Sequence, residues 1–339
     1  MGSLFLMPPI LIPASIRGAL DDGAALVCSV SGGKDSDAMA LKLAEARQVF
    51  GWKGRFILHH QDCGAIEWPQ SEAHCRDMAA RVGAEFVVGR MSQRELLAEV
   101  VRKWRARPDT CPWPSNVARY CTAGWKRNVF DAWVRKEFPF NATVISALGL
   151  RAQESPTRAR RDVCSPRTSS APSLSRQVYD WLPIHAFTLA DVWEVLLPGA
   201  GLDGLRFFRS LYQDWLKDHP NAPRDGFLDA FATINVPWLY HPAYIWGNER
   251  VSCALCPLAS ANDLLNGAIS NPKLYRALCH IELESGFTFK PDRPLFRVAP
   301  DLLTPGQRQR ALDFVPHTQR AMSRNVSAGV GSLQLSLFA

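Results

Sequence analysis

The sequence lacks an intact apolar run near its start: Leu4 to Ile16 is broken by Pro8, Pro9 and Pro13, and no basic residue precedes it. A secretory signal needs a charged lead and an unbroken apolar centre, and a bilayer span needs about 20 apolar residues, so neither export nor membrane insertion is expected. Paired cysteine spacing is also missing over most of the chain. The nine cysteines are an odd number, and without an export signal they read as thiols, ligands or persulfide carriers rather than as a disulfide framework. A cytoplasmic location is the expectation. There is no internal repeat and no extreme of composition: 47% hydrophobic and 21% charged residues exclude a disordered or fibrous chain. What is present is length for about two domains in 339 residues. A net charge of +7 leans towards anionic partners such as nucleotides or nucleic acid.

Residues 24 to 30 form a short apolar run ending in Ser31-Gly32-Gly33-Lys34-Asp35-Ser36, after which apolar residues recur at helical spacing through Ala38, Met39, Leu41, Leu43 and Ala44. Further strands are expected at 55–59, 85–88, 143–147 and 178–182, with helices at 71–82 and from about 92 to 104 between them. Strands alternating with helices predict an α/β fold, a parallel sheet with helices on both faces. Beyond Leu197 the pattern turns helical, including Leu205 to Leu216 and Ala261 to Cys279. The expected division is therefore an α/β nucleotide-binding domain at 1–197, a smaller helical region at 198–322 and a flexible tail at 323–339. Pro156 to Ser175, with arginines among Ser, Pro and Thr, reads as a mobile basic loop.

Phosphate binding at a strand-to-helix junction needs backbone amides that can approach the anion and a helix whose positive end points at it. Gly32 and Gly33 remove side-chain bulk and permit positive φ, Lys34 supplies charge, and the Ser31 and Ser36 hydroxyls can donate to phosphate oxygens. The spacing is neither that of G-x-x-x-x-G-K-[ST] nor that of G-x-G-x-x-G.

This loop resembles the pyrophosphate loop of the adenine nucleotide alpha hydrolase superfamily, in particular its phosphoadenosine phosphosulfate reductase-like family. Other segments agree in order: His60-Gln61-Asp62 with Glu67-Trp68-Pro69, Arg119-Tyr120-Cys121-Thr122 with Lys126, Gly149 to Ser155, Trp181 to Ile184 leading into Asp191-Val192-Trp193, and Pro242-Ala243-Tyr244 with Gly247, Arg250, Cys253 and Cys256. The resemblance covers roughly residues 20 to 260 and implies ATP on the carboxyl edge of the sheet, attack at the α-phosphate and release of pyrophosphate. It implies a nucleotide site built from Ser31, Gly32, Gly33, Lys34, Ser36, His60 and Gly149. Lys34, Asp35, Asp62, Arg151 and Glu154 would carry the chemistry, with Asp35 and Asp62 supporting the Mg²⁺ that accompanies the leaving group.

Cys253-Ala-Leu-Cys256 has metal-ligand spacing. With Cys121 at the family's Arg-x-Cys-Thr position and Cys111 ten residues earlier, four thiolates would suit a 4Fe-4S cluster; a zinc site and plain thiols are the alternatives. Two departures count against sulfonucleotide reduction. The only late cysteine is Cys279, in Leu278-Cys279-His280 rather than Glu-Cys-Gly-Leu-His, and Tyr120 stands where cluster-bearing reductases pair a cysteine with Cys121. The chain is therefore closest in kind to the ATPases of DNA phosphorothioation, which would adenylylate a substrate for sulfur insertion with a cysteine desulfurase as donor. Sulfonucleotide reduction, tRNA thiolation and a nucleotide-binding accessory protein without turnover are the alternatives. The terminal peptide Gln334-Leu335-Ser336-Leu337-Phe338 resembles the motif that binds the bacterial sliding clamp, behind a Ser/Gly-rich tether at 323–332. Arg102, Lys103, Arg105 and Arg107, with arginines 158, 160, 161, 167 and 176, are candidate contacts to a DNA backbone.

Overall fold

The computed structural model describes residues 9–138, 141–169, 176–231, 240–291 and 293–317. The terminal peptide and its tether lie outside the described residues. The elements follow in order: α1 (Ala14–Asp21), β1 (Ala25–Val30), α2 (Lys34–Phe50), β2 (Phe56–Asp62), α3 (Ser71–Arg81), β3 (Glu85–Arg90) and α4 (Leu96–Ala106). A π-helical turn (Cys121–Arg127) leads into α5 (Asn128–Glu137), then β4 (Thr143–Leu148), α6 (Pro156–Ala159), β5 (Cys164–Pro166) and β6 (Gln177–Trp181). The remainder is helical: α7 (Leu189–Leu196), α8 (Gly201–Asp218), α9 (Asp225–Phe231), α10 (Ala261–Ser270), α11 (Pro272–Ser285) and α12 (Pro305–Leu312).

Two compact units result, Met1–Gln93 with Tyr120–Cys253 and Arg94–Arg119 with Ala254–Ala339. Helices α7 to α9 thus belong with the sheet, so the expected boundary at residue 197 does not coincide with this division.

The first unit is mixed α/β. Its six strands run in the order β3-β2-β1-β4-β6-β5, with β1, β2, β3, β4 and β6 parallel. Buried apolar strands are what a sheet covered on both faces requires, and Val27, Cys28, Ile57, Leu58, Val144 and Ile145 are completely enclosed. On one face Phe130, Val134 and Phe138 pack against Val27, Ile57, Val144 and Val178. Side chains alternate along a strand, so Leu26, Cys28 and Leu58 turn to the other face. The chain runs outward from β1 to β3 and then returns to β4 on the opposite side of β1. Open α/β sheets bind ligands at the carboxyl ends of the strands that flank such a reversal, here β1 and β4.

Two expectations are corrected in this unit. The sheet is not wholly parallel, because β5 pairs antiparallel with β6, Cys164 opposite Trp181 and Pro166 opposite Tyr179. Nor is Pro156 to Ser175 a structureless loop in its described part. Ser155 accepts the Arg158 amide at 3.2 Å and Pro156 fills the first helical position, which nucleates α6 just before β5.

The second unit packs α10 and α11 around Leu264, Tyr275, Leu278, Leu295 and Phe296, with Val100 and Trp113 in the same cluster. Ala261 to Cys279 is not one helix, because Pro272 cannot donate into a preceding turn and instead opens α11. The buried carboxylate of Glu282 accepts the amides of Phe289, Leu295 and Phe296 at 2.6, 2.8 and 3.0 Å. It thereby fixes the segment that follows α11.

Candidate nucleotide site

The loop between β1 and α2 is built as its composition requires. Gly32 has φ +71°, and a Cβ there would meet the rings of His241 and His74 at 3.3 and 3.5 Å. Gly33 is the N-cap of α2. The Ser36 hydroxyl donates to the Gly33 carbonyl at 2.7 Å and accepts the Ser31 amide at 3.4 Å, so it braces the loop from within. Among the described residues the backbone N–H groups of Gly33 and Asp35 have no acceptor. Two unpaired amides at the start of a 17-residue helix, beside the Lys34 ammonium, form a cradle for an anion. The Lys34 amide is already taken: the Tyr244 hydroxyl accepts it at 2.8 Å and accepts the Val251 amide at 3.3 Å.

The structure brings most of the expected residues to this place. Asp35 holds two cations, with its oxygens 3.0 Å from Lys34 Nζ and 2.6 Å from Arg151 Nε. Arg151 is buried and also donates to Gln153 at 2.9 Å. Its backbone amide donates to Glu154 at 3.0 Å, and Glu154 in turn pairs with Arg158. Gly149 is there for space: a Cβ would stand 2.8 Å from the Asp35 carbonyl oxygen and 3.0 Å from the Ser36 nitrogen. Only glycine lets the end of β4 close on the loop.

Asp62 and His60 are placed differently. Asp62 accepts the Gly64 amide and an Arg90 N–H, both at 2.7 Å, and so ties the β2 end to β3. His60 is buried between the Val30 carbonyl, 3.2 Å from Nδ1, and the Glu67 carboxylate, 3.1 Å from Nε2. Its Nε2 is enclosed beside that carboxylate but makes no aligned hydrogen bond. Its neighbour His59 is pushed down to about 4 by burial and by His60, which leaves it neutral near pH 7.

Sequence reasoning missed the layer beneath the loop. Asp37 is fully buried and accepts from His74 Nε2 at 2.8 Å, the His74 ring lies 5.8 Å from that of His241, and His241 Nε2 approaches the Ser71 hydroxyl at 3.5 Å. Burial opposes charge on His74, but the Asp37 carboxylate outweighs it, so the pair keeps its proton to higher pH than an ordinary histidine would. His241, buried beside His74, is driven well below the usual histidine range. The one sequence signal was a second aspartate, Asp37, beside Asp35 in the first turn of α2.

For the cysteines, Cys121 and Cys253 lie in the first unit, Cys111 and Cys256 in the second. Among the described residues no three His, Cys, Asp or Glu side chains gather as a metal ion would require. The Cys253 thiol is hydrogen-bonded to that of Cys63, which together with burial raises it well above the ordinary thiol range. Cys63 has no paired spacing in sequence; the turn after β2 brings it there. Asp35 is the better fit to a nucleotide-borne Mg²⁺, because it sits at the loop and is partly exposed. No helix of the described residues is long and apolar enough to cross a membrane. No protein-family model matches the chain, and no curated protein matches it.

Proposed function

We propose that the first unit is an ATP pyrophosphatase that adenylylates an acceptor for sulfur insertion or a related modification of DNA. The observation that carries this reading is the pair of unpaired Gly33 and Asp35 amides beside Lys34, at the helix start on the carboxyl edge of the sheet. Donors fixed before the reaction stabilise charge as it develops. In the proposed reaction an acceptor oxygen attacks the α-phosphorus, the bond to the β-phosphate bridging oxygen breaks, and pyrophosphate leaves with the electron pair. The two amides and Lys34 would hold that leaving group. Arg151, paired with Asp35, would also reach for phosphate oxygens, freeing the Asp35 carboxylate towards the cation that travels with the nucleotide. Mg²⁺ bound there would neutralise charge on the leaving oxygens. The outer sulfur of a desulfurase-derived persulfide would then attack the activated phosphorus and displace AMP, and an external dithiol would reduce the remaining S–S bond to the donor cysteine, leaving sulfur on the acceptor.

Full-length protein should convert ATP to AMP and pyrophosphate, faster with DNA present. Gly33→Val should obstruct the amide cradle and Ser36→Ala should loosen it; wild-type turnover in both variants would remove the assignment. Sulfite formation from a sulfonucleotide would favour the reductase reading, and stimulation by tRNA alone the tRNA-thiolation reading. The terminal Gln334–Phe338 peptide is proposed to recruit the sliding clamp. Deleting 333–339 should abolish clamp binding and leave ATP cleavage intact.

A further inference from the structure

The described structure sorts the arginines of the basic stretch into two kinds. Arg158 pairs with Glu154. Arg167 is largely buried and bridges Asp131 at 2.7 Å and Asp180 at 2.9 Å. Arg176, also buried, donates to the Phe138 carbonyl at 2.7 Å and to that of Arg135 at 3.3 Å. These three tie the fold together. Arg160 and Arg161 are exposed, and among the described residues neither guanidinium has a hydrogen bond or an ion pair.

Both free arginines line one cavity of about 250 Å³, together with Leu148 and Leu182. Taking about 30 Å³ for a water molecule, it has room for a phosphate group and part of a sugar. Its position follows from the sheet. Leu148 ends β4 and Leu182 follows β6, so the cavity lies at the carboxyl ends of two neighbouring strands. The next residue after Leu148 is Gly149, which packs on the Asp35 and Ser36 backbone. Leu148, in the cavity lining, is thus the chain neighbour of a residue that packs on the anion loop. Its charge is uneven: Asp180 already accepts from Arg167, which leaves two unpaired guanidinium groups against the single carboxylate of Asp162, with Ser165 adding a hydroxyl.

We propose that Arg160 and Arg161 form the subsite for a backbone phosphate of the acceptor DNA, which sets the strand beside the nucleotide. This rests on the DNA-modifying reading above. Planar guanidinium groups take phosphate oxygens in pairs, and a contact to phosphate alone positions the strand without reading its sequence. The lining holds two leucines against five charged or polar residues, which suits a charged group better than an apolar side chain.

The test compares full-length wild type with the Arg160→Gln/Arg161→Gln double variant. It measures fluorescence anisotropy of a labelled DNA duplex over a range of salt, with ATP affinity measured separately by calorimetry. The variant should lose about tenfold in DNA affinity and about one to two units of the slope of log affinity on log salt. ATP affinity should stay within about twofold, since these side chains are not part of the anion loop. Unchanged DNA affinity and slope, with wild-type DNA-stimulated turnover, would overturn the subsite while leaving the reading of the nucleotide site in place. Failure of the wild type to bind DNA would overturn both. An equal loss of ATP affinity would show that the arginines serve the nucleotide instead. An RNA of the same length that alone accelerates turnover and loses affinity in the variant would overturn the assignment to DNA.

Discussion

Tyr244 accepts the backbone amide of Lys34 at 2.8 Å, although the two residues are 210 positions apart. The phenol caps a helix start that its own sequence leaves uncapped, since Gly33 has no side chain to accept that amide. Tyr244→Phe leaves two amides, those of Lys34 and Val251, without their acceptor. Folding stability should fall by about 1–3 kcal/mol, the usual cost of a buried polar group left unpaired. ATP should restore part of it by accepting the Lys34 amide, and denaturant unfolding with and without ATP would show both effects.

Gly149→Ala should be far more damaging than a one-carbon change suggests. The added Cβ would meet backbone at 2.8 to 3.0 Å on Asp35 and Ser36, where no flexible side chain can give way. Overpacking of this kind costs about 1–3 kcal/mol. Because the displaced atoms are those of the anion loop, pyrophosphate release should fall by more than about tenfold in a variant that remains folded.

The Asp37–His74 pair makes a pH-dependent contribution to stability. In the folded chain His74 holds its proton more tightly than in the unfolded chain, so the contribution is fully present below pH 6.5 and is lost as pH rises through the raised value. Asp77 acts in the same direction and Arg81 against it. The melting temperature should decline as pH rises above about 6.5, and this decline should be smaller in Asp37→Asn/His74→Gln. An identical pH profile in the double variant would discount the pair.

Glu282 offers an independent reading of the second unit. Burial raises it to about 7 against the opposing pull of three amide donors. A raised carboxylate favours the protonated fold, so this contribution is complete below the ordinary glutamate value and is lost as pH climbs through 7. Glu282→Gln cannot titrate and should remove that dependence from the melting profile. Glu282→Ala should lower stability by about 2–4 kcal/mol by orphaning the amides of Phe289, Leu295 and Phe296.

Local pattern made much of the first unit legible. The apolar runs at 24–30, 55–59 and 143–147 became β1, β2 and β4, because a strand covered on both faces must be apolar throughout. The glycine loop was legible for the same reason: few residue types tolerate its backbone. Long-range partners were not. Nothing near Asp37 announces His74, and nothing near Cys63 announces Cys253, since both pairings arise only when separate segments fold together. Asp62 and His60 show the converse, residues at expected positions whose side chains serve neighbouring strands and Glu67. Arg160 and Arg161 stood beside Arg158 and Arg167 in sequence, and only the placement of carboxylates separates them.

The antiparallel strand β5 is three residues long and ends in Pro166, at one border of the sheet. A longer strand there would offer a ladder of amides and carbonyls to any passing extended chain. Proline has no N–H to give, and three residues are too few to template another strand. This border therefore resists strand-by-strand growth of the sheet between molecules, and it denies an extended peptide a place to dock by main-chain pairing. Whatever approaches the molecule from that side must be recognised by side chains.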